Sequence, residues 1–215
     1  MNPLPFESEP AIVAAIPQVM AHLKGGGLLG YPTETVYGLG SRARVADVGA
    51  LAALKGRRLD KPFLLLVSDR GMAEAQGLAF GPSADALARA FWPGPLTIVL
   101  PGGRLPDQLR GPEGGIAVRW TSHVGMARLI AAVGEPLTST SANLPGRAPA
   151  PGADAIVRDF GRAVDEGKLL VLDGGVLGNR PPSTVVDCTQ PAPRVVREGA
   201  ITLAALRRAV GGLAP

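Results

Sequence analysis

The sequence has few of the residues from which metal centres and redox sites are built. It contains one cysteine, Cys188, and two histidines, His22 and His123, among 215 residues. A single cysteine excludes an internal disulfide and a cysteine-based zinc cluster, and the two histidines stand far apart with no ligand spacing around them. We therefore expect no metal site built by the protein, an inert buried thiol at Cys188, and histidines at the surface or at helix ends.

Long apolar runs are also missing. No continuous stretch approaches the roughly 20 apolar residues that a membrane helix needs. The N-terminal MNPLPFESEP carries acids where a secretory signal has basic and apolar regions. Hydrophobic residues make up 46% of the chain and charged residues 19%, which is typical of a globular protein. These features predict a soluble cytoplasmic protein with no membrane partner.

Two common nucleotide-binding loops are absent. The P-loop pattern GxxxxGK[ST] does not occur, and the glycines of YGLGSRA lack the spacing of a dinucleotide fingerprint. The net charge of +4 favours anionic partners without naming them, and aromatic residues, on which nucleic-acid bases stack, make up only 4% of the chain. A nucleotide, if one binds, must be held by another kind of loop.

Helical periodicity appears in six segments. They cover residues 10–24, 47–55, 83–91, 123–133, 152–160 and 202–210. In the first of them, Pro17 predicts a kink or a late start of the helix. N-cap side chains are predicted at Asp47, Ser83, Ser122 and Thr202.

Eight strand-like runs lie between and after these segments. They are LLGY, PFLLLVS, LTIVLP, IAVRW, EPLTST, KLLVLD, STVVDC and RVVRE. Because strands and helices interleave irregularly, with successive strands toward the C-terminus, the pattern favours an α/β fold. We predict a single domain over residues 1–215, with a core over about 10–210 and a twisted, mixed parallel/antiparallel sheet flanked by helices.

The loop in YPTETVYG carries two threonines directly after an apolar strand. In an extended chain Thr33 and Thr35 point to one face and Glu34 to the other, and Pro32 keeps Tyr31 extended. Two hydroxyls on one face suit a small polar ligand with hydroxyl, amine or carboxylate groups. The alternative is a turn in which the threonine side chains are satisfied locally. Both interpretations stay open on these residues alone.

Cations are concentrated in LAALKGRRLDKPF. The helix over 47–55 should stop at Gly56, and four cations fan out from its end: Lys55, Arg57, Arg58 and Lys61. Cations at a helix C-terminus gain about 0.3–1 kcal/mol from the helix dipole. A triphosphate would add charge-assisted hydrogen bonds of roughly 1.5–3 kcal/mol each. The segment therefore predicts either an anion site or a dipole-stabilised helix end.

An unbroken run of hydroxyl side chains ends the strand in EPLTSTSANLPGRAP. In extended geometry Ser139, Ser141 and Asn143 share one face. Such a run is poor core material because each buried hydroxyl needs a hydrogen-bond partner. The run predicts a ligand-facing strand end, or else a Ser/Asn helix cap or turn.

Two arginines interrupt or end strand-like runs. Arg119 lies in GGIAVRW and Arg197 in RVVREGA. A guanidinium at a strand end is a natural clamp for carboxylate or phosphate. Each residue could equally be a surface arginine on an edge strand.

Taken together, these segments resemble the YrdC/TsaC family of threonylcarbamoyl-AMP synthases. The matching stretches run in order over nearly the whole chain: GYPTETVYGLG, KGR followed by KPF, FWPGPLTIVL, GGIAVRW, TSTSANLPGRAP, PSTVVD and VVREG. Each motif alone has modest specificity, but seven motifs in the same order along the chain are specific to the family. They resemble the short, single-domain form of the family, so we expect no further C-terminal domain of the kind that its longer relatives carry.

The resemblance implies a YrdC-like α/β sheet with a basic concave face. It also implies a nucleotidyltransferase that makes threonylcarbamoyl-AMP and pyrophosphate from L-threonine, bicarbonate or carbon dioxide, and ATP. In this family the product serves threonylcarbamoyladenosine modification of tRNA beside the anticodon, which tRNA-threonylcarbamoyl transfer proteins complete. Magnesium would arrive with the ATP.

The resemblance also assigns roles to residues. The family's Lys-x-Arg and Ser-x-Asn pairs fall on Lys55, Arg57, Ser141 and Asn143 as catalytic residues. Threonine binding would fall to Thr33, Thr35, Arg119 and Ser139. Nucleotide binding would involve Arg57, Lys61, Ser141, Asn143, Ser183 and Arg197. The longer relatives often have an asparagine and a histidine where this chain has Lys61 and Leu66, so a histidine contact to threonine is not expected here.

Two other classes of function remain open. One is a tRNA-binding or double-stranded-RNA-binding module without catalysis, which would use a basic face. The other is a carbamoyl-adenylate transferase domain like the YrdC-like module of hydrogenase-maturation carbamoyltransferases.

Overall fold

The computed structural model describes residues 2–56 and 62–213, and within them ten strands form one sheet. The strands are β1 (Leu4–Pro5), β2 (Leu28–Tyr31), β3 (Gly38–Gly40), β4 (Leu64–Val67), β5 (Leu96–Leu100), β6 (Ile116–Trp120), β7 (Leu137–Ser141), β8 (Leu169–Asp173), β9 (Thr184–Asp187) and β10 (Arg194–Arg197). All eight predicted strand-like runs are strands. The two that the pattern missed are β1, a two-residue strand, and β3, whose sequence GLG has little β propensity.

Eight α-helices accompany the sheet in the described part of the chain. They are α1 (Glu9–Lys24), α2 (Val45–Lys55), α3 (Arg70–Ala75), α4 (Pro82–Phe91), α5 (Val124–Val133), α6 (Ala153–Asp159), α7 (Gly161–Asp165) and α8 (Leu203–Val210). The six predicted helices are present. The two that were missed, α3 and α7, span six and five residues, too few for a helical period to show in the sequence.

Several predicted helix starts are wrong. His123, not Ser122, caps α5: its Nδ1 accepts the Met126 N–H at 3.2 Å. The caps of α2 and α4 are Arg44 and Gly81, because each helix begins before the predicted polar residue. Asp47 and Ser83 therefore lie inside the first turns. Thr202 caps α8 as predicted, accepting the Ala205 N–H at 3.3 Å.

Helix α1 does not start late, as Pro17 allowed. It begins at Glu9, is capped by Ser8 and continues through Pro17 to Lys24. Pro10 lies in its first turn, where the missing proline N–H has no helical partner to lose.

The sheet is mixed, as predicted. Its strand order is β1-β8-β2-β3-β7-β4-β6-β5-β9-β10. Four neighbouring pairs are parallel (β1/β8, β8/β2, β4/β6 and β5/β9), and the other five are antiparallel. This order brings β3, β7, β4, β6, β5, β9 and β10 side by side, although they come from widely separated parts of the chain.

The two faces of several strands pack into different hydrophobic clusters. In β4, Leu65 belongs to the larger cluster, which includes residues of α2, α4, α6 and α8, and Leu66 to the one that contains α1 and α5 residues. Leu28 and Leu29 of β2 divide in the same way. Strands buried on both faces read as continuous apolar runs, which explains sequences such as LLGY and LLLV.

The glycines of β3 are required by Tyr31. The Tyr31 hydroxyl donates to the Thr138 carbonyl oxygen at 3.0 Å, across the narrow β3. A Cβ on Gly40 would lie 2.0 Å from that same oxygen and 2.7 Å from the Tyr31 hydroxyl oxygen. A Cβ on Gly38 would lie 2.9 Å from the Tyr31 ring. Both glycines of YGLG, Gly38 and Gly40, are therefore needed for close packing against Tyr31.

We expect Gly40→Ala to lower the free energy of unfolding by about 1–3 kcal/mol, the usual cost of overpacking. The clash is with strand backbone, which cannot rotate away as a side chain could. Gly49→Ala is the matched control, because Gly49 lies inside α2 with no atom within 4 Å of its added Cβ. It should gain roughly 0.5–1 kcal/mol. Urea unfolding measures both, and an unchanged midpoint for Gly40→Ala would contradict the packing described.

Candidate active site

A cavity of about 750 Å³ lies on one face of the sheet. Seven strands, β3 to β7, β9 and β10, contribute to its wall. Residues two apart on the same strand face it together, as Thr97 and Val99 do on β5 and Val185 and Asp187 on β9. The floor of the cavity is therefore part of a sheet face, and loops complete its wall.

Eight of the predicted site residues line this cavity. They are Thr33, Thr35, Arg119, Ser139, Ser141, Asn143, Ser183 and Arg197. Lys55 lies behind the wall and contacts it, while Arg57 and Lys61 fall outside the described residues, as does Arg58. The strand order brings together residues that the sequence separates by more than 160 positions (33 to 197).

The threonine loop is a hydrogen-bonded turn. The Thr33 hydroxyl donates to the Val36 carbonyl oxygen at 2.7 Å and accepts the backbone N–H groups of Thr35 and Val36, both at 3.2 Å. Because its proton is already donated, the Thr35 hydroxyl is the donor in their 3.0 Å contact. The segment is thus the locally hydrogen-bonded turn that the sequence left as an alternative, and both threonines still lie in the cavity wall. Their role in ligand binding stays a prediction.

Arg119 is a buried cation in the interior of the sheet. Strand β6 lies between β4 and β5, so the edge-strand alternative for this residue is wrong. The residue is 4% exposed, and its Nη1 donates to the Thr35 hydroxyl oxygen at 3.1 Å. Its Nε lies 3.7 Å from Oε1 of Glu34, whose side chain is not part of the cavity wall. Glu34 and Thr35 contact the same guanidinium from a turn, so the opposite orientation expected of an extended chain stays a prediction.

Ser139, Ser141 and Asn143 all face the cavity, as the extended geometry predicted. The Ser141 hydroxyl donates to Asn143 Oδ1 at 2.6 Å, and Asn143 Nδ2 donates to the Arg147 carbonyl oxygen at 2.7 Å. These bonds fix the loop that leaves β7. The side chains of Ser141 and Asn143 are therefore held in their orientation by hydrogen bonds within the loop.

Lys55 holds this loop from behind. Gly56 ends α2 in the left-handed conformation with φ of +55°, as a C′ glycine should. The Lys55 Nζ, in a residue only 7% exposed, donates to the Ser141 carbonyl oxygen at 2.9 Å and to Asn143 Oδ1 at 3.1 Å. It also donates to the Asn143 carbonyl oxygen. The lysine therefore orders the Ser141–Asn143 loop, in addition to any contact with a ligand.

Ser183 and Arg197 form the opposite side of the cavity. Arg197 Nη2 donates to the Ser183 carbonyl oxygen at 2.8 Å, and the Ser183 hydroxyl lies 2.9 Å from that of Thr97. Strand β10 is an edge strand and Arg197 is exposed on it, yet it lines the cavity. Partial burial and the positive charge of Arg119 lower the pKa of Arg197. An anion between these two arginines would relieve that repulsion.

Sequence reasoning missed an ion-pair group at the end of the cavity near β10. Arg194 Nη2 lies 3.0 Å from Glu113 Oε1 and 3.4 Å from Asp187 Oδ2, and all three residues line the cavity. The alternation in STVVDC could have placed Asp187 on the same face as Ser183. The pairing with Arg194 and Glu113 depends on strand neighbours that no local pattern specifies.

The remaining candidates are structural. Cys188 is buried, and burial together with the charge of Asp187 raises its pKa to about 12, so the thiol is inert. His22 is in the last turn of α1 and His123 caps α5, both at helix ends as predicted. Leu66 is fully buried among Leu129 and Leu137 and does not line the cavity.

Among residues 2–56 and 62–213, no three His, Cys, Asp or Glu side chains are grouped so that they could hold a metal ion. No helix in that part of the chain is both long enough and apolar enough to cross a membrane.

Residues 21–199 match the model of the Sua5/YciO/YrdC family, described as "Telomere recombination". The chain belongs to this family. The threonylcarbamoyl-AMP synthase of Thiobacillus denitrificans is 39% identical over 175 residues, which are 80% of this chain and 90% of that protein. The family resemblance predicted from the motifs is confirmed.

Solved structures agree with the fold. A crystal structure of Pyrococcus abyssi Sua5 complexed with L-threonine superposes with a TM-score of 0.87 at 29% identity, covering 99% of this chain and 62% of that one. Escherichia coli YciO gives a TM-score of 0.77 at 27% identity, covering 90% of this chain and 93% of that one. The chain thus spans less than two thirds of the Pyrococcus protein and nearly all of the other.

Proposed function

We propose that this chain is an L-threonylcarbamoyladenylate synthase, which makes threonylcarbamoyl-AMP and pyrophosphate from L-threonine, bicarbonate or carbon dioxide, and ATP. The observation that carries the proposal is one cavity with a buried arginine, Arg119, on one side and Arg197 on the other. The hydroxyl-rich end of β7 lies in the same wall. Membership of the family and the name of the Thiobacillus relative support this choice.

The amino-acid end is assigned to the threonine loop and Arg119. A guanidinium in a buried wall matches a carboxylate in charge and in planar geometry. Ser139 and Thr35 offer oxygen atoms beside it, and Thr33 shapes the wall, since its hydroxyl is committed to the turn. The Pyrococcus relative crystallised with L-threonine makes an amino acid the natural occupant.

The nucleotide end is assigned to the Ser141–Asn143 loop, Ser183 and Arg197. Ser141 and Asn143 would hold the α-phosphate and the carbamate by hydrogen bonds, once their side chains turn from their present contacts within the loop. Lys55 would keep that loop in place and add positive charge near the leaving group. Arg57 and Lys61, which follow α2, would bind the triphosphate.

The reaction needs positioning more than covalent help. The threonine amine and carbon dioxide form a carbamate, one of whose oxygens attacks the α-phosphorus of ATP in line. The bond between the α-phosphorus and the bridging oxygen breaks, and pyrophosphate leaves with the electron pair. Holding the reactants together can supply several kcal/mol. Cations beside the leaving group stabilise the charge that develops on it.

Magnesium would arrive with ATP. The two acids in the described cavity wall, Glu113 and Asp187, are both ion-paired with Arg194, so the phosphates would supply most of its oxygen ligands. The proposal also includes a cytoplasmic location and a downstream partner set of tRNA and tRNA-threonylcarbamoyl transfer proteins. These partners would use the threonylcarbamoyl-AMP, and the anionic tRNA fits the net charge of +4.

A pyrophosphate-release assay tests the function directly. With ATP and magnesium, the protein should release pyrophosphate only when threonine and bicarbonate are both present. Release without threonine dependence would contradict the proposal. Release driven by carbamoyl phosphate in place of threonine would favour the carbamoyl-adenylate transferase. Retention of RNA that falls steeply with salt, without turnover, would favour the RNA-binding module.

A further inference from the structure

An incompletely paired acid and base lie at the cavity wall, where Arg119 lines the cavity and Glu34 does not. Glu34 Oε1 and Arg119 Nε are both buried, and neither has a hydrogen-bond partner in the described part of the chain. The two atoms are 3.7 Å apart, in side chains that are 11% and 5% exposed. They attract each other as an ion pair in a site that water does not reach.

Glu34 is held in this place by contacts on its other side. Its Oε2 accepts the Thr121 hydroxyl at 2.5 Å, and Thr121 is 1% exposed. Its backbone carbonyl oxygen accepts Arg180 Nη1 at 3.2 Å. The carboxylate does not line the cavity. Any effect of the Glu34 carboxylate on the cavity must therefore pass through a residue that it orients.

What it orients is the guanidinium of Arg119. Nη1 is committed to Thr35, and Nε is directed at Glu34. Arg119 lines the cavity, and its Nη2 is not among the buried atoms that lack a hydrogen-bond partner in residues 2–56 and 62–213. A planar group that is hydrogen-bonded at Nη1 and attracted by a carboxylate at Nε is restricted in its rotation, which restricts the direction of Nη2 as well. The negative charge of Glu34 also offsets the repulsion between the positive charges of Arg119 and Arg197.

We propose that Glu34 is a positioning residue, which orients the Arg119 guanidinium toward the carboxylate of the amino-acid substrate without touching the substrate. The inference rests on the proposed function and adds a determinant of substrate class to it. Selectivity for a carboxylate-bearing amine would then depend on a residue outside the cavity.

The test compares Glu34→Gln with the wild type on two ligands, L-threonine and L-threoninol, which lacks the carboxylate. We expect the KM for threonine to rise about tenfold, the equivalent of roughly one charge-assisted contact. The KM for ATP should change less than about twofold. The ratio of the Kd for threoninol to that for threonine should fall. Glu34→Asp, which keeps the charge, should recover part of this ratio.

Glu135→Gln is the matched control. Glu135 also pairs with an arginine, Arg42, and it does not line the cavity. Its loss should leave both KM values and the ligand ratio unchanged. If Glu34→Gln does not fold, Thr121→Val frees one carboxylate oxygen and should change the same ratio in the same direction to a smaller extent.

The outcomes separate the two proposals. A wild-type protein without threonine-dependent turnover would remove the proposed function and this inference with it. A functional wild type whose Glu34→Gln variant keeps the wild-type ligand ratio would overturn the inference alone. Equal weakening of both ligands would also overturn it, because that result indicates general damage to the site.

Discussion

Arg119→Lys is expected to lower kcat/KM for threonine by about 100-fold. Lysine keeps the positive charge, so Glu34 is not left as a lone buried carboxylate, which would itself destabilise the fold by about 3–5 kcal/mol. The flat fork of the guanidinium is lost, however, and with it one or two charge-assisted bonds of roughly 1.5–3 kcal/mol each. The loss should appear mainly as a higher KM for threonine, since Arg119 is assigned to its carboxylate.

The comparison variant is Arg128→Lys. Arg128 lies at the surface, where its Nη1 pairs with Glu9 Oε1 at 2.8 Å, so its replacement should change neither kinetic constant. Steady-state pyrophosphate release with threonine and ATP varied separately measures the effect. An Arg119→Lys enzyme with normal threonine KM would show that the carboxylate binds elsewhere.

Lys55→Met is expected to reduce kcat by about 100- to 1,000-fold, the range found when one preorganised donor is removed from an active site. Two effects combine. The cation that we propose to act on the leaving group is lost, and the Ser141–Asn143 loop loses three hydrogen bonds, from Nζ to the Ser141 carbonyl oxygen, the Asn143 carbonyl oxygen and Asn143 Oδ1. Methionine has a similar length and leaves the packing around α2 nearly intact.

The same variant should also lose stability. Buried carbonyl oxygens left without a donor cost roughly 1–3 kcal/mol each, so turnover must be expressed per folded molecule. Lys168→Met is the control, because Lys168 Nζ pairs with Glu166 at the surface, where its side chain is 70% exposed. Urea unfolding and pyrophosphate release on both variants separate the two losses. A Lys55→Met enzyme with wild-type kcat would remove Lys55 from the site.

Local patterns predicted most of the fold and eight residues of the cavity wall. Runs such as LLGY and LLLV show where strands are buried on both faces, and the alternation around Ser139, Ser141 and Asn143 gave their common side. Those features depend on neighbours in sequence. The strand GLG was missed because its glycines are explained by Tyr31 and the Thr138 carbonyl, which approach it from other strands.

Features that depend on contacts between residues far apart in the chain could not be predicted from the sequence. The Thr33 hydroxyl serves a turn and the Lys55 ammonium a loop, and residue type alone cannot distinguish such uses from ligand contacts. The Arg194 ion pairs and the approach of Glu34 to Arg119 depend on strand order. The assignment of threonine to one end of the cavity came from the family resemblance, since hydroxyls and arginines alone indicate only a polar anion.

The place of β9 and β10 in the sheet bears on how the protein is made. Strand β9 pairs in parallel with β5, and both Ser183 and Arg197 reach the cavity from this last part of the chain. During synthesis from the N-terminus, the threonine loop, Arg119 and the Ser141–Asn143 loop all emerge earlier. A chain that ends before residue 183 therefore lacks Ser183 and Arg197, two of the residues that we propose to hold the nucleotide. Tight binding of both substrates together would then report a finished molecule, which ligand binding in turn stabilises against unfolding.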